Sequence, residues 1–216
     1  MNLRDKLSEW RIGNYLRELS IVIIGVAVTL YASSVISDIK EEKDLQLQLD
    51  AVYAELEENV KRLDEAILYH DMHNKLRDYL YTIIKDEKTY SKDSVKKYDY
   101  VLMHTYDFIY KKSAYDMFVN SGAMKYLTDR NQLLNITESY AKLEEIKKAN
   151  DEYMSLKINM YSNTYKMDRK YIFGKTYDIT DPQRNVEFNF HALNSGLDTA
   201  FRKIKKETEE VIAERK

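Results

Sequence analysis

The sequence predicts an all-α protein, an N-terminal transmembrane helix followed by an antiparallel up-and-down helical bundle. Three observations carry this reading. Five glycines and one proline in 216 residues are too few turn formers for a sheet protein, which must reverse direction every few residues. The stretch from Leu19 to Ser37 carries no charge. Beyond it, apolar side chains recur by threes and fours, the period of a helix with one buried face. The domain boundaries that follow are a short cytoplasmic tail over 1–18, a spanning signal anchor over 19–37 and an extracytoplasmic helical bundle over 38–216.

The anchor comes first. Its centre reads Ile21-Val22-Ile23-Ile24-Gly25-Val26-Ala27-Val28, and nineteen helical residues at 1.5 Å each span roughly 28 Å, close to the thickness of bilayer hydrocarbon. No Ala-x-Ala cleavage site follows it, so an uncleaved anchor is expected. Arg4, Lys6, Arg11 and Arg17 precede the stretch, and only Lys40 and Lys43 follow closely. The positive-inside rule therefore puts the tail in the cytoplasm and the bundle outside, in the periplasm or extracellular space of a bacterium. Leu3, Leu7 and Trp10 share one face of the tail, as in a segment lying along a membrane surface. Gly25, Thr29 and Ser33, continued by Ser37, recur every fourth residue, a stripe through which two copies can pack into a homo-oligomer.

No proline or glycine interrupts the chain from Val26 to Asn120, so the anchor is expected to run directly into a long helix. Leu45, Leu49, Val52, Leu56, Leu63 and Ala66, with Asn59 filling the gap, form a heptad seam like that of a coiled coil, and a polar seam residue specifies register. Met72, Leu76, Leu80 and Ile83 or Ile84 continue the stripe. Asp86 to Lys97 is polar and aperiodic, as suits a loop. Val101, Leu102, Tyr106, Ile109 and Tyr110 predict a second helix ending near Ser113, with a short helix from Ala114 to Asn120 closed by Gly122. Thr128 or Asp129 caps a third long helix. Its inward positions are read as Leu133, Ile136, Tyr140, Leu143, Ile146, Tyr153, Ile158, Tyr161 and Tyr165, with Gly174 at its end. A loop around Asp181-Pro182, anchored by Phe188 and Phe190, precedes a last helix from Gly196 with Leu197, Phe201, Ile204, Val211 and Ile212 inward.

The anchor, the run Asp38-Ile39-Lys40-Glu41-Glu42-Lys43, the leucine seam, and Tyr115-x5-Ser121-Gly122 with Leu133 and Tyr140 downstream together resemble a widespread uncharacterised family of bacterial single-pass membrane proteins. The likeness covers roughly residues 17–155. This chain departs from the pattern at Ser33-Ser34-Val35-Ile36, where the family commonly has a tryptophan. The resemblance implies the topology and the helical fold, and no site residues.

Composition narrows the chemistry further. With 34 basic and 36 acidic residues there is no basic footprint for nucleic acid. The absence of cysteine removes disulfides and thiolate catalysis. No Gly-x-Ser-x-Gly elbow, Gly-x-x-x-x-Gly-Lys-Ser/Thr phosphate loop or Gly-x-Gly-x-x-Gly fingerprint occurs. His70, Asp71 and His73, with His104 and Asp107, are candidate metal ligands, but no histidine has the Glu-x-x-His spacing of di-iron bundles. Tyr153-Met154, Met160-Tyr161, Tyr165-Lys166-Met167 and Tyr171 fit an aromatic ligand pocket or, more simply, a core. The expectation is a protein with no catalytic site, no metal and no cofactor. Its partners would be the lipid bilayer and other membrane or envelope proteins, and its role that of a membrane-anchored helical interaction or scaffold module. The alternative is a ligand-sensing bundle working through a separate membrane partner.

Overall fold

A computed structural model describes the backbone of residues 3–86, 105–167 and 196–215, with side chains over 14–79, 81–82, 105–159 and 196–215. Helix α1, Leu3–Asp86, is one unbroken helix of 84 residues. Nothing in its sequence ends it, since Gly25 costs only about 1 kcal/mol in a helix interior and no proline is present to remove a backbone donor. Two hydroxyls of its apolar stretch are satisfied locally: Ser20 Oγ donates to the Leu16 carbonyl at 2.7 Å and Thr29 Oγ1 to the Gly25 carbonyl at 2.8 Å. From Glu41 onward one face of α1 becomes covered. Leu49, Val52, Leu56, Asn59, Leu63, Ala66 and Leu76 are all buried, which is the predicted seam, and each fully buried leucine contributes about 1.5–3 kcal/mol.

Helix α2, Ser113–Asn120, ends at Ser121 and is followed by Gly122 with φ of 75°, the left-handed conformation that glycine adopts without strain. A 3-10 turn, Ala123–Tyr126, leads to α3, Arg130–Met167. Asp129 caps α3 as expected, its carboxylate accepting from the amides of Asn131 and Gln132 at 3.0 and 3.1 Å. Helix α4, Leu197–Ala213, starts after Gly196, also at positive φ. Among the described residues there is no strand.

Cross-helix bonds order these elements. Asp50, Asp64 and Asp71 of α1 pair with Arg215, Lys205 and Arg202 of α4, rising numbers meeting falling ones. Along α3 the order is the reverse: Tyr53, Glu55, His70 and His73 meet Gln132, Tyr140, Asn150 and Lys157. Helices α1 and α3 thus point the same way and α4 returns between them.

The predicted second helix is corrected over its described part. Residues 105–112 are not helical; Val101, Leu102 and the preceding polar loop lie outside the described residues. The segment runs along the groove between α1 and α3, with Tyr106, Phe108 and Tyr110 turned in and Thr105, Asp107 and Ile109 exposed. Buried amides hold it in place of a partner strand. Asn59 Nδ2 donates to the Lys111 carbonyl and the Lys111 amide donates to Asn59 Oδ1, each at 2.7 Å. Arg62 donates to the Ile109 carbonyl at 3.0 Å and Asn150 Nδ2 to the Tyr106 carbonyl at 2.8 Å. Asn59→Ala, which breaks both bonds to Lys111, is expected to lower the unfolding free energy by about 2–3 kcal/mol. Urea titration of the detergent-solubilised chain, followed by circular dichroism, measures it, and a loss below the scatter of exposed-site variants would refute the clasp.

One further inward assignment changes. Ile158 is 53% exposed, whereas Met154 and Lys157 take the buried positions of that turn. Leu80, Ile83, Ile84, Tyr161, Tyr165, Gly174, Phe188 and Phe190 fall outside the residues whose side chains are described.

Candidate functional site

Most polar side chains buried in the bundle serve the fold. Glu55, 7% exposed, receives four hydrogen bonds: from Ser113 Oγ and the Ala114 amide on Oε2, and from the Tyr115 amide and the Tyr140 hydroxyl on Oε1. The residue before α2, Lys112, supplies no side-chain cap, so a carboxylate from α1 caps that helix end, where anions are favoured. Burial, and then the bond to Glu55, push the Tyr140 hydroxyl well above its ordinary pKa. The Tyr115 ring stacks on Tyr140 with centroids 4.2 Å apart, and Ser121 Oγ donates to Gln48 at 2.7 Å. Tyr115, Ser121 and Tyr140 therefore clamp the α2 corner to α1 and α3.

A different cluster sits at the end of the bundle far from the apolar stretch. Tyr69, His70 and His73 of α1 are buried there against Asn150, Met154 and Lys157 of α3, with Tyr153 half-buried beside them. Helical spacing explains the meeting, because residues three and four apart share a face. Lys157 is 2% exposed, and its Nζ lies 3.2 Å from the Tyr69 hydroxyl and 3.3 Å from His73 Nε2. His73 Nδ1 lies 3.2 Å from the Tyr153 hydroxyl. His70 Nε2 lies 3.3 Å from Asn150 Oδ1, while its buried Nδ1 has no hydrogen-bond partner. Phe201 of α4 stacks on the His70 ring at 5.2 Å, and Tyr106 stacks on Tyr69 at 5.1 Å.

Burial dominates the electrostatics here, since moving a charge out of water disfavours the charged form. It lowers the Lys157 amine to about 7 and the His70 imidazole to about 4, the latter only partly offset by the bond to Asn150. An ammonium can only donate. With Lys157 charged, Nε2 of His73 must accept, and its hydrogen resides on Nδ1, donated to the Tyr153 hydroxyl.

The described candidate metal ligands do not converge on one point. Asp71 turns outward and holds Arg202 at 2.6 Å, Asp107 is exposed, and His104 lies outside the described residues. Among the described residues no three His, Asp or Glu side chains are close enough to share a metal ion. Met154 of the tyrosine–methionine run is core, its sulfur accepting from the Tyr106 amide at 3.4 Å; the run beyond residue 159 is not described at side-chain level.

At the opposite end, beside the apolar stretch, a half-open groove of about 690 Å³ lies between α1, the start of α3 and the end of α4. Leu45, Leu49, Tyr53, Leu127 and Val211 form its apolar side, and Glu42, Asp129, Glu214 and Arg215 stand at its polar side.

No family model, curated protein or solved structure matches the chain. The buried lysine–histidine cluster is the feature sequence reasoning missed. Its signal was present, because Asn150 and Lys157 continue the inward spacing of Ile136, Leu143 and Ile146, but a lysine in that series reads as solvent-facing.

Proposed function

We propose that the chain is a membrane-anchored helical interaction or scaffold module with no catalytic activity of its own. In this reading an up-and-down bundle stands on a single span, with residues 105–112 and α2 taking the leg between α1 and α3. The observation that carries the reading is the apolar stretch itself. α1 is long and apolar enough there to cross a membrane, and none of that window is buried. Ile21 at 60%, Ile24 at 62% and Leu30 at 66% exposure point around the helix, so no single protein groove would cover them, whereas lipid surrounds all sides.

The flanking charges favour a cytoplasmic tail and an outer bundle at a bacterial inner membrane, in agreement with the topology of the family that the sequence resembles. Self-association through Gly25, Thr29 and Ser33 belongs to the same reading: a Cβ placed on Gly25 meets nothing within 4 Å, so that face is open to another helix. The groove beside the span favours the second reading, a ligand-sensing bundle acting through a membrane partner.

The expected result is that the full chain sediments with membranes, resists carbonate and high-salt extraction, and enters detergent. Ile24→Arg, placed at the centre of the stretch and costing about 2.5–3.5 kcal/mol of insertion free energy, should move a large fraction to the supernatant. Native chain that remains soluble without detergent would end the proposal. Protease added outside spheroplasts should remove the bundle; protection there would reverse the orientation and leave the anchor standing.

A further inference from the structure

We propose that His73 and Lys157, aided by His70, form an acid-sensitive latch: proton uptake parts the distal halves of α1 and α3 while the halves near the apolar stretch stay joined. The inference goes beyond scaffolding and does not depend on which side of the membrane the bundle faces.

The geometry carries it. Lys157 Nζ and His73 Nε2 are 3.3 Å apart, a distance that suits one donor and one acceptor. Once both groups are protonated, two donors and two like charges face each other with little water between them, and the contact turns from attractive to repulsive. His70 adds to this only toward pH 4, because its ring centre lies 5.6 Å from that of His73 and its orphaned Nδ1 marks a base that has no acceptor ready for a second hydrogen. The described hydrogen bonds joining this part of α1 to α3 run through His70, His73 or Lys157. Near the apolar stretch the same two helices are joined instead by Tyr53 with Gln132 and by Glu55 with Tyr140, contacts that contain neither a histidine nor a lysine.

The described groups around the pair come from every packed element. On α1, Tyr69 is the hydroxyl partner of Lys157 and Asp71 is engaged by Arg202. The segment 105–112 presents the Tyr106 ring, with Asp107 exposed. On α3, Asn150 and Tyr153 face the histidines, and Asp151 is held by Lys147. On α4, Phe201 covers His70, and Asp198 acts on His70 only through its field, favouring the charged form less than burial opposes it. Burial places Lys157 at about 7 and His70 at about 4, so the joined arrangement is favoured as pH rises.

The chain has no cysteine, which makes site-directed spin labelling direct. Labels at Lys75→Cys and Ser155→Cys, both exposed, report the distal separation, and labels at Glu57→Cys and Ala141→Cys report the other half. Pulsed electron spin resonance on the full chain in zwitterionic nanodiscs at pH 9, 7 and 5 should show the distal distance lengthening and broadening toward pH 5, reversibly, with the other pair unchanged. The double variant His73→Phe/Lys157→Met should keep the short distal distance at pH 5. A native distal distance that does not move, both pairs lengthening together as in global unfolding, or a double variant that opens as the native chain does, would each overturn the latch. The native measurement decides by itself if the double variant fails to fold.

Discussion

Replacing Glu55 by alanine is expected to destabilise the bundle by about 3–5 kcal/mol, the range for removing one member of a buried, hydrogen-bonded charged group. The size follows from what is left behind. Two backbone amides at the start of α2, a serine hydroxyl and the Tyr140 hydroxyl all lose their acceptor, and two of the four belong to a helix end with no cap of its own. Glu55→Gln should cost roughly half as much, because one amide oxygen still accepts while the NH2 group confronts the remaining donors. Adding Tyr140→Phe to Glu55→Ala should restore part of the loss by deleting one orphaned hydroxyl, and a double-mutant cycle isolates that coupling. Denaturant midpoints give the totals, and amide exchange at Ala114 and Tyr115 should accelerate first. An alanine variant within 1 kcal/mol of native would show that the carboxylate does not hold the α2 corner.

Stability is expected to climb with pH across two windows, each with the sign set by a base held below its ordinary pKa. Lys157 titrates near 7 when folded instead of 10.5. Between these values the unfolded chain binds the extra proton, so its contribution grows from pH 7 to pH 10.5 and is lost on the way down. His70 titrates near 4 instead of 6.5, and the same reasoning removes stability as pH falls from 6.5 to 4. At about 1.4 kcal/mol per unit, the lysine window amounts to roughly 4–5 kcal/mol and the histidine window to roughly 3. Lys157→Met should flatten the upper window and raise stability at neutral pH, since an unbranched apolar chain of similar length fills the same space. Thermal unfolding at half-unit pH steps tests both. A Lys157→Met profile that still rises between pH 7 and pH 10 would assign that slope to another group.

The face of α1 could be read from the sequence because its seam residues differ sharply in kind from their neighbours. Leu49, Val52, Leu56, Leu63 and Ala66 sit among Glu, Lys and Asp, and all are buried. Gly122 and Asp129 were legible for a similar reason: left-handed geometry and amide capping each have a short list of suitable residues. Residues 105–112 were misread because Val101, Leu102, Tyr106, Ile109 and Tyr110 fit a helical period. The same stretch also alternates, Thr105-Tyr106-Asp107-Phe108-Ile109-Tyr110, and alternation marks an extended segment half-buried on one face. What settled the choice is tertiary. Asn59 and Asn150, distant in sequence, supply the backbone bonds that a strand partner would otherwise provide. Asn59 was legible as a polar break in a seam, but its clasp on Lys111 was not, because the seam gave no sign of a non-helical neighbour. Lys157 escaped notice, and His70 and His73 were read as metal-ligand candidates and not as core, because ionisable residues are rarely fully buried; only the convergence of α1 with α3 shows that all three are.

The continuity of α1 has a mechanical consequence. From Ser37 to its end at Asp86 the helix extends about 75 Å at 1.5 Å per residue, with neither glycine nor proline to act as a joint. The apolar stretch and the bundle are thus keyed to one shaft, and the compass bearing of the groove and of the α4 face is locked to that of the Gly25 side. One alanine inserted after Asp38 would swing that bearing by about 100° with both ends intact, so whatever docks on two such shafts at once must be sensitive to their phase.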